Sequence, residues 1–328
     1  MSRRPFLLCG LGLCGAYARP TLAAGPLPAS SFPNRPIHFV IPFPPGGVTD
    51  ISARLLAASL AQTLGQPVIP ENRPGAGGNL AAQYVARAVP DGHTLLFATS
   101  GSHGINPSLY PNLPFDPVRD FTPIAYTSSS PNLFTARRSF PGSSMADFIE
   151  IARRRATALT VGLGSLGTTQ HMAVELLRHE MRLSFTTVPY RGGALALQDL
   201  IGGTIDVLCD GFPSSIPHVR QGSIKALGVT SIERVPGAPD IPSVAETIPG
   251  FSSTGWFGVA GPAGLPAAIV ERLNRAVNEA LTDAALRRKH DEIGARIHGG
   301  TPRQFAEHIR REVARWHEVV KATGARAA

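Results

Sequence analysis

From residue 36 onward, short apolar runs alternate with amphipathic stretches. That is the pattern of a mainly parallel sheet with helices packed on both faces. The runs predict strands at Ile37–Phe43, Pro67–Pro70, Thr94–Thr99, Thr122–Thr135, Leu159–Leu163, Phe185–Val188, Ile205–Leu208, Ile224–Thr230 and Thr254–Ala260. Ile51, Leu55, Ser59 and Leu60 stripe a helix that should stop at Gly65, because glycine turns the chain out of a helix at little steric cost. Ile269, Leu273, Ala276, Val277 and Leu281 follow the helical period after Pro266. Phe305, Ile309, Val313, Trp316 and Val320 do the same after Thr301-Pro302-Arg303-Gln304, a capping-box pattern.

The long strands Thr122–Thr135 and Ile224–Thr230 enclose a complete α/β unit. Strands of that length serve as crossovers between two lobes. The expected division is therefore one lobe over residues 125–228, inserted into another built from 33–124 and 229–328. A chain of 328 residues is ample for two such units.

Composition adds export and subtracts several functions. Ser2-Arg3-Arg4, the apolar run Phe6–Ala16 and the small residues at Thr21-Leu22-Ala23-Ala24 form a cleavable leader over 1–24, with the periplasm as destination. The arginine pair leaves both the general secretory and the twin-arginine routes open. A lipid-anchor reading of Cys14 is disfavoured by Leu13, which stands where a small residue is wanted. Removing the leader takes away three arginines and no acids, leaving 28 basic against 23 acidic residues, and makes Cys209 the last cysteine. No disulfide framework or cysteine metal cluster follows. Of the 31 basic residues 28 are arginine, scattered and without interleaved aromatics, which argues against nucleic acid.

Candidate chemistry sits in loops. Pro42–Asp50 carries Gly46 and Gly47 between the first strand and a helix, so unpaired N–H groups and the positive end of the helix dipole favour an anion, with Thr49 or Asp50 expected as cap. Gly162-Leu163-Gly164-Ser165-Leu166-Gly167 matches a dinucleotide fingerprint, but the next strand ends Val188-Pro189-Tyr190-Arg191, without the acid that would hold a ribose. Leu163 stands where a hydrolase elbow needs glycine before Ser165. His171, Glu175 and His179 share a helix face, yet the two histidines lie roughly 12 Å apart along the axis. They cannot hold one metal, so the face reads as solvated, and no cofactor is implied. Thr99–His103, Glu71–Asn79, Tyr190–Gly193 and Asp210–Ser214 end strands on the same expected rim, where open α/β sheets bind ligands.

Pro33-Asn34-Arg35-Pro36-Ile37, the Pro42–Asp50 loop, Gly65-Gln66-Pro67-Val68, Glu71–Asn79, Pro90-Asp91-Gly92, Tyr190–Gly193 and Trp256–Gly264 occur in one order and spacing. From residue 33 to the C-terminus the chain resembles the Bug family, periplasmic receptors of tripartite tricarboxylate transporters. The resemblance implies a non-catalytic α/β protein of two lobes joined by hinge crossovers, closing on a small carboxylate held by amides and hydroxyls. It further implies delivery to membrane permease subunits or to a sensor kinase, as a monomer. Carried over by motif, the contacts are Phe43, Gly46, Gly47, Thr49 and Asp50, then Ser100, Ser102 and His103, then Ser165, Gly167, Thr168 and His171, with Tyr190 and Asp210 completing the ring. Val48 and Gly211 depart from the family pattern, Val48 replacing a small residue and Gly211 an amide. With Phe43, Val48 and Tyr190 near the ligand, a dicarboxylate with a short apolar middle is expected. An acidic amino acid would need Asp50 or Asp210 for its ammonium group.

Overall fold

A computed structural model describes residues 32–327; the leader, with its arginine pair, Cys9 and Cys14, lies outside the described residues. The first part of the chain runs β1 (Ile37–Ile41), α1 (Val48–Leu64), β2 (Val68–Asn72), α2 (Asn79–Ala86), β3 (Thr94–Thr99) and α3 (Asn106–Leu109) into the long β4 (Phe121–Arg137). Next come α4 (Met145–Arg155), β5 (Thr160–Leu163), α5 (Thr169–Met181), β6 (Thr186–Pro189), α6 (Gly193–Gly202), β7 (Val207–Gly211), α7 (Phe212–Arg220) and β8 (Ile224–Val229). The chain closes with β9 (Thr254–Pro262), α8 (Ala267–Ala280), α9 (Ala284–Glu292), β10 (Arg296–Ile297) and α10 (Pro302–Thr323).

The strands order as β2-β1-β3-β9-β4-β7-β5-β6, with β8 and β10 also on β4. Parallel pairing holds only toward the two edges, β1 with β2 and β3, and β5 with β6 and β7. The centre is antiparallel, because β9 runs against both β3 and β4, and β4 against β7 and β8. The expectation of a mainly parallel sheet fails there. Apolar runs mark a buried strand but carry no information about its direction.

Strand β4 belongs to both lobes of this two-lobed fold. Its first part, through Pro131, pairs with β9, and from Asn132 it pairs with β7. Two cores flank the handover. One joins Phe39, Phe97 and Phe257 to Leu56, Leu60 and Leu273 of α1 and α8. The other joins Phe134, Phe148, Val161 and Cys209. Val244, Ile248 and Phe251 pack in this second core, and Val235 and Ile241 pack with Phe212 beside it.

Local signals decide the helix ends. Gly65 closes α1 at φ 69°, and Thr301 with Gln304 forms the expected capping box on α10. The buried face of α1 differs from the anticipated stripe: Ser52, Ala53, Leu56, Ala57, Leu60 and Leu64 face inward, and Ile51, Leu55 and Ser59 are only half-buried. Ala53 and Ala57 share this face with Leu56, Leu60 and Leu64, in the core that also holds Leu273 and Val277 of α8.

Where β4 changes partners, a buried polar hub ties the crossings together. The Asn132 N–H donates to Thr230 Oγ1 at 2.9 Å and its Nδ2 to the Ser253 carbonyl at 2.8 Å. Thr230 N–H donates back to the Asn132 carbonyl at 2.9 Å, and Ser253 Oγ donates to the Thr169 carbonyl at 2.8 Å. Residues 132, 230 and 253 thus lie side by side at the junction.

Candidate functional site

A cleft of about 290 Å³ opens at that junction, at the small end of the roughly 300–1,000 Å³ typical of ligand pockets. One wall is the β1–α1 loop with Phe43, Gly47, Val48 and Thr49, beside Thr99, Ser100 and Gly101 at the end of β3. Facing it are Gly164, Ser165 and Thr168–Gln170, Arg191–Leu195 and Asp210. Ser130, Pro131 and Asn132 of β4, with Gly255 and Phe257 of β9, line the remainder. These positions follow from topology, since the loops after β1, β3, β5, β6 and β7 leave strand ends that meet at the handover.

Three helices, α1, α5 and α6, begin at this cleft, and α7 begins behind Asp210. Gly47, Thr168, Gly192 and Gly211 are the N-caps of α1, α5, α6 and α7. Gly47 and Gly192 offer no capping side chain, so first-turn N–H groups of two helices at the cleft are left for other acceptors. Each N-terminus near an anion is worth roughly 0.3–1 kcal/mol through the dipole. An N–H bonded to a charged acceptor adds about 1.5–3 kcal/mol, so direct amide contacts outweigh the field. Among the described residues of the lining, Arg191 is the one cation and is exposed, and Asp210 is the one acid. Asp210 is buried, and burial pushes its carboxyl above the ordinary 3.8, opposed by bonds from the Ser214 hydroxyl and the Gly211 amide.

Of the residues carried over by motif, Phe43, Gly47, Thr49, Ser100, Ser165, Thr168 and Asp210 meet at this surface. Seven others do not line it. Asp50 turns inward and accepts from Gly46 N–H at 3.0 Å, Arg54 Nε at 2.8 Å and Asn72 Nδ2 at 2.9 Å. Asn72 also donates to the Phe43 carbonyl at 2.9 Å, so Asp50 shapes the loop from behind. Neither Thr49 nor Asp50 is the N-cap of α1; Gly47 is. Gly46 supplies the turn at φ 86°.

Ser102 and His103 are buried behind the β3 end. Ser102 Oγ bonds within the Thr99 turn and lies 2.9 Å from His103 Nδ1, and the imidazole packs on Phe121 at 4.5 Å. Burial lowers the His103 pKa to about 3, keeping it neutral. Gly167 is buried close to Asn106, whose Oδ1 would lie 2.4 Å from any Cβ there. His171 is buried rather than solvated, 3.9 Å from Glu175, with its pKa lowered to about 4 by burial and by Arg178. Tyr190 donates its hydroxyl to Asp199 at 2.6 Å, along α6 instead of into the cleft.

Ser130, Asn132, Thr169, Gln170, Gly193 and Gly255 line the cleft without having been assigned contacts. One signal was available for the first two: a polar Ser128-Ser129-Ser130-Pro131-Asn132 run inside a predicted strand, with a proline that a central strand does not tolerate. Gly255 carried no such signal, because its role depends on β9 lying beside β4.

Two lobes around a small donor-rich cleft define the class of solute-binding receptors. The family model described as the tripartite tricarboxylate transporter family receptor matches residues 52–325, and the chain belongs to that family. Protein BugT of Bordetella pertussis is 33% identical over 318 residues, covering 96% of this chain and 98% of the relative. The solved Rpa4515 of R. palustris with adipate is 39% identical at TM-score 0.87, covering 89% of this chain and 98% of its own. MatC from Rhodopseudomonas palustris with bound malate is 38% identical at TM-score 0.84, covering 88% and 100%.

Proposed function

We propose that this protein is an exported, non-catalytic receptor that captures a small dicarboxylate in the interlobe cleft and delivers it to the permease subunits of a tripartite tricarboxylate transporter. The observation that carries this reading is the meeting of three helix N-termini, those of α1, α5 and α6, at a cleft whose single acidic side chain among the described residues is pushed toward its neutral form. Such a surface offers an anion N–H donors and a positive field with little opposing charge. The ligands named for the two solved relatives, adipate and malate, are dicarboxylates and support the same class.

The contacts proposed are the amides of the Gly47–Thr49 and Gly192–Ala194 turns and the hydroxyls of Ser100, Ser165, Thr168 and Thr169. Phe43 and Phe257 pack on the carbon chain, and Asp210, its carboxyl raised by burial, stands at the facing wall. The division of the chain is read as one lobe inserted into the other, with the insertion reaching Phe251 instead of ending at 228, because 235–251 pack on the second core. A leader over 1–24 would carry the chain to the periplasm as a monomer.

The deciding test is isothermal calorimetry with malate and adipate, beside NAD and an ester as controls. One dicarboxylate is expected to bind at micromolar strength and raise the melting temperature, as native-state ligands do. Turnover of either control, or no heat with any dicarboxylate, would refute the reading.

A further inference from the structure

Glycines mark the seam where the lobes meet, and two of them seat side chains from the β1–α1 loop. A Cβ placed on Gly211 would come within 2.7 Å of Val48 Cγ1 and 2.8 Å of Val48 Cβ. Separations that short do not occur between real carbons, so Val48 rests directly on the Gly211 backbone. Gly211 has φ −59° and ψ 136°, a conformation open to any residue. Its lack of a side chain is therefore a matter of space and not of backbone freedom. Nearby, a Cβ on Gly192 would lie 3.8 Å from Pro44 Cβ. Both contacts join opposite lobes at the edge of the cleft, and Val48 itself lines the cleft.

We propose that Val48 and Gly211 form a size-matched pair that sets how closely the lobes approach, and through that distance the length of acid the cleft holds. Interdigitated carbon surfaces resist compression, so one added methyl at 211 must push Val48 and its loop outward. A smaller residue at 48 gives the methyl room. The valine fits because the facing residue is glycine. The length-setting half rests on the cleft being an acid site; the contact itself does not.

The test uses an interlobe cross-link that does not depend on any ligand. The 3.8 Å between Pro44 Cβ and the Gly192 Cβ position falls in the range of about 3.5–4.5 Å for disulfides. The P44C/G192C protein should therefore cross-link whenever the lobes close, while native Cys209 is buried. Adding G211A is expected to slow cross-linking roughly tenfold or more, the scale of overpacking at one contact, and adding V48A to G211A to restore the rate. Failure of the parent pair to cross-link, an unchanged rate with G211A, or no recovery with V48A would each overturn the proposal. In parallel, V48A is expected to change the adipate-to-malate affinity ratio roughly tenfold, as a methylene-sized change in a pocket wall does. An unchanged ratio removes the length-setting half. Absence of binding by both acids to the unmodified protein would count against the carboxylate reading, while the cross-linking rates still decide the pair.

Discussion

Asp210 is the one acid among the described residues that line the cleft. Burial raises its carboxyl above 3.8, so the neutral form persists to higher pH than for an exposed aspartate. A neutral carboxyl donates a hydrogen bond to a ligand carboxylate; the ionised form repels it. Affinity for malate should accordingly be high below the raised pKa and fall as pH rises through it. D210N is expected to flatten that dependence, and calorimetry across pH on both proteins checks it. A steep decline that survives in D210N would assign the titration elsewhere. The same group lowers folded-state stability once pH passes from 3.8 through the raised value, since the unfolded chain ionises first. Proximity in sequence misled at this scale for Asp50, His103, His171 and Tyr190. All four sit in loops or helix starts that reach the cleft, yet their side chains find partners behind it. Which way a side chain turns is settled by partners such as Asn72, 22 residues from Asp50, and Asp199, nine residues from Tyr190.

Among the elements, the β1–α1 loop carries the site because it is held rigid from behind. Asp50, Arg54 and Asn72 form a closed set of bonds that fastens Gly46 N–H and the Phe43 carbonyl. Replacing Asp50 removes the acceptor of three part-buried hydrogen bonds, at about 0.5–1.5 kcal/mol each. D50A should weaken malate binding at least tenfold and lower the melting temperature by several degrees. N72A, which loses the donor to the Phe43 carbonyl without adding a charge, should weaken binding with a smaller melting change. Equal affinity in both variants would show that the loop needs no such support. Most strands and helices were legible in the sequence, since strands such as Thr94–Thr99 and helices such as α8 announce themselves by apolar runs or a 3.6-residue period. The inward face of α1 was legible only in part, because Leu60 lies on it while Ile51, Leu55 and Ser59 lie at its margin.

For the whole molecule, the hub of Asn132, Thr230 and Ser253 joins three chain segments where β4 passes from β9 to β7. N132A removes the side-chain donor to the Ser253 carbonyl, 2.8 Å away, and should cost about 1–3 kcal/mol. Calorimetry is expected to show a lower melting transition that broadens or splits as the lobes lose coupling. A single unshifted transition would argue that the hub is not the joint. The amino-acid sequence by itself determined the alternation of strands and helices, the capped ends of α10 and α1, the glycine-rich loops and the ordered motifs that mark the family. Those features depend on local propensity, on the period of apolar positions, and on residues close together in the chain. Only the tertiary structure decided that the central strands run antiparallel, that the polar stretch Ser130–Asn132 is the floor of the cleft, and that Val48 meets Gly211. Each of these depends on residues tens to more than a hundred positions apart being brought into contact, and such contacts are set by how the two cores pack.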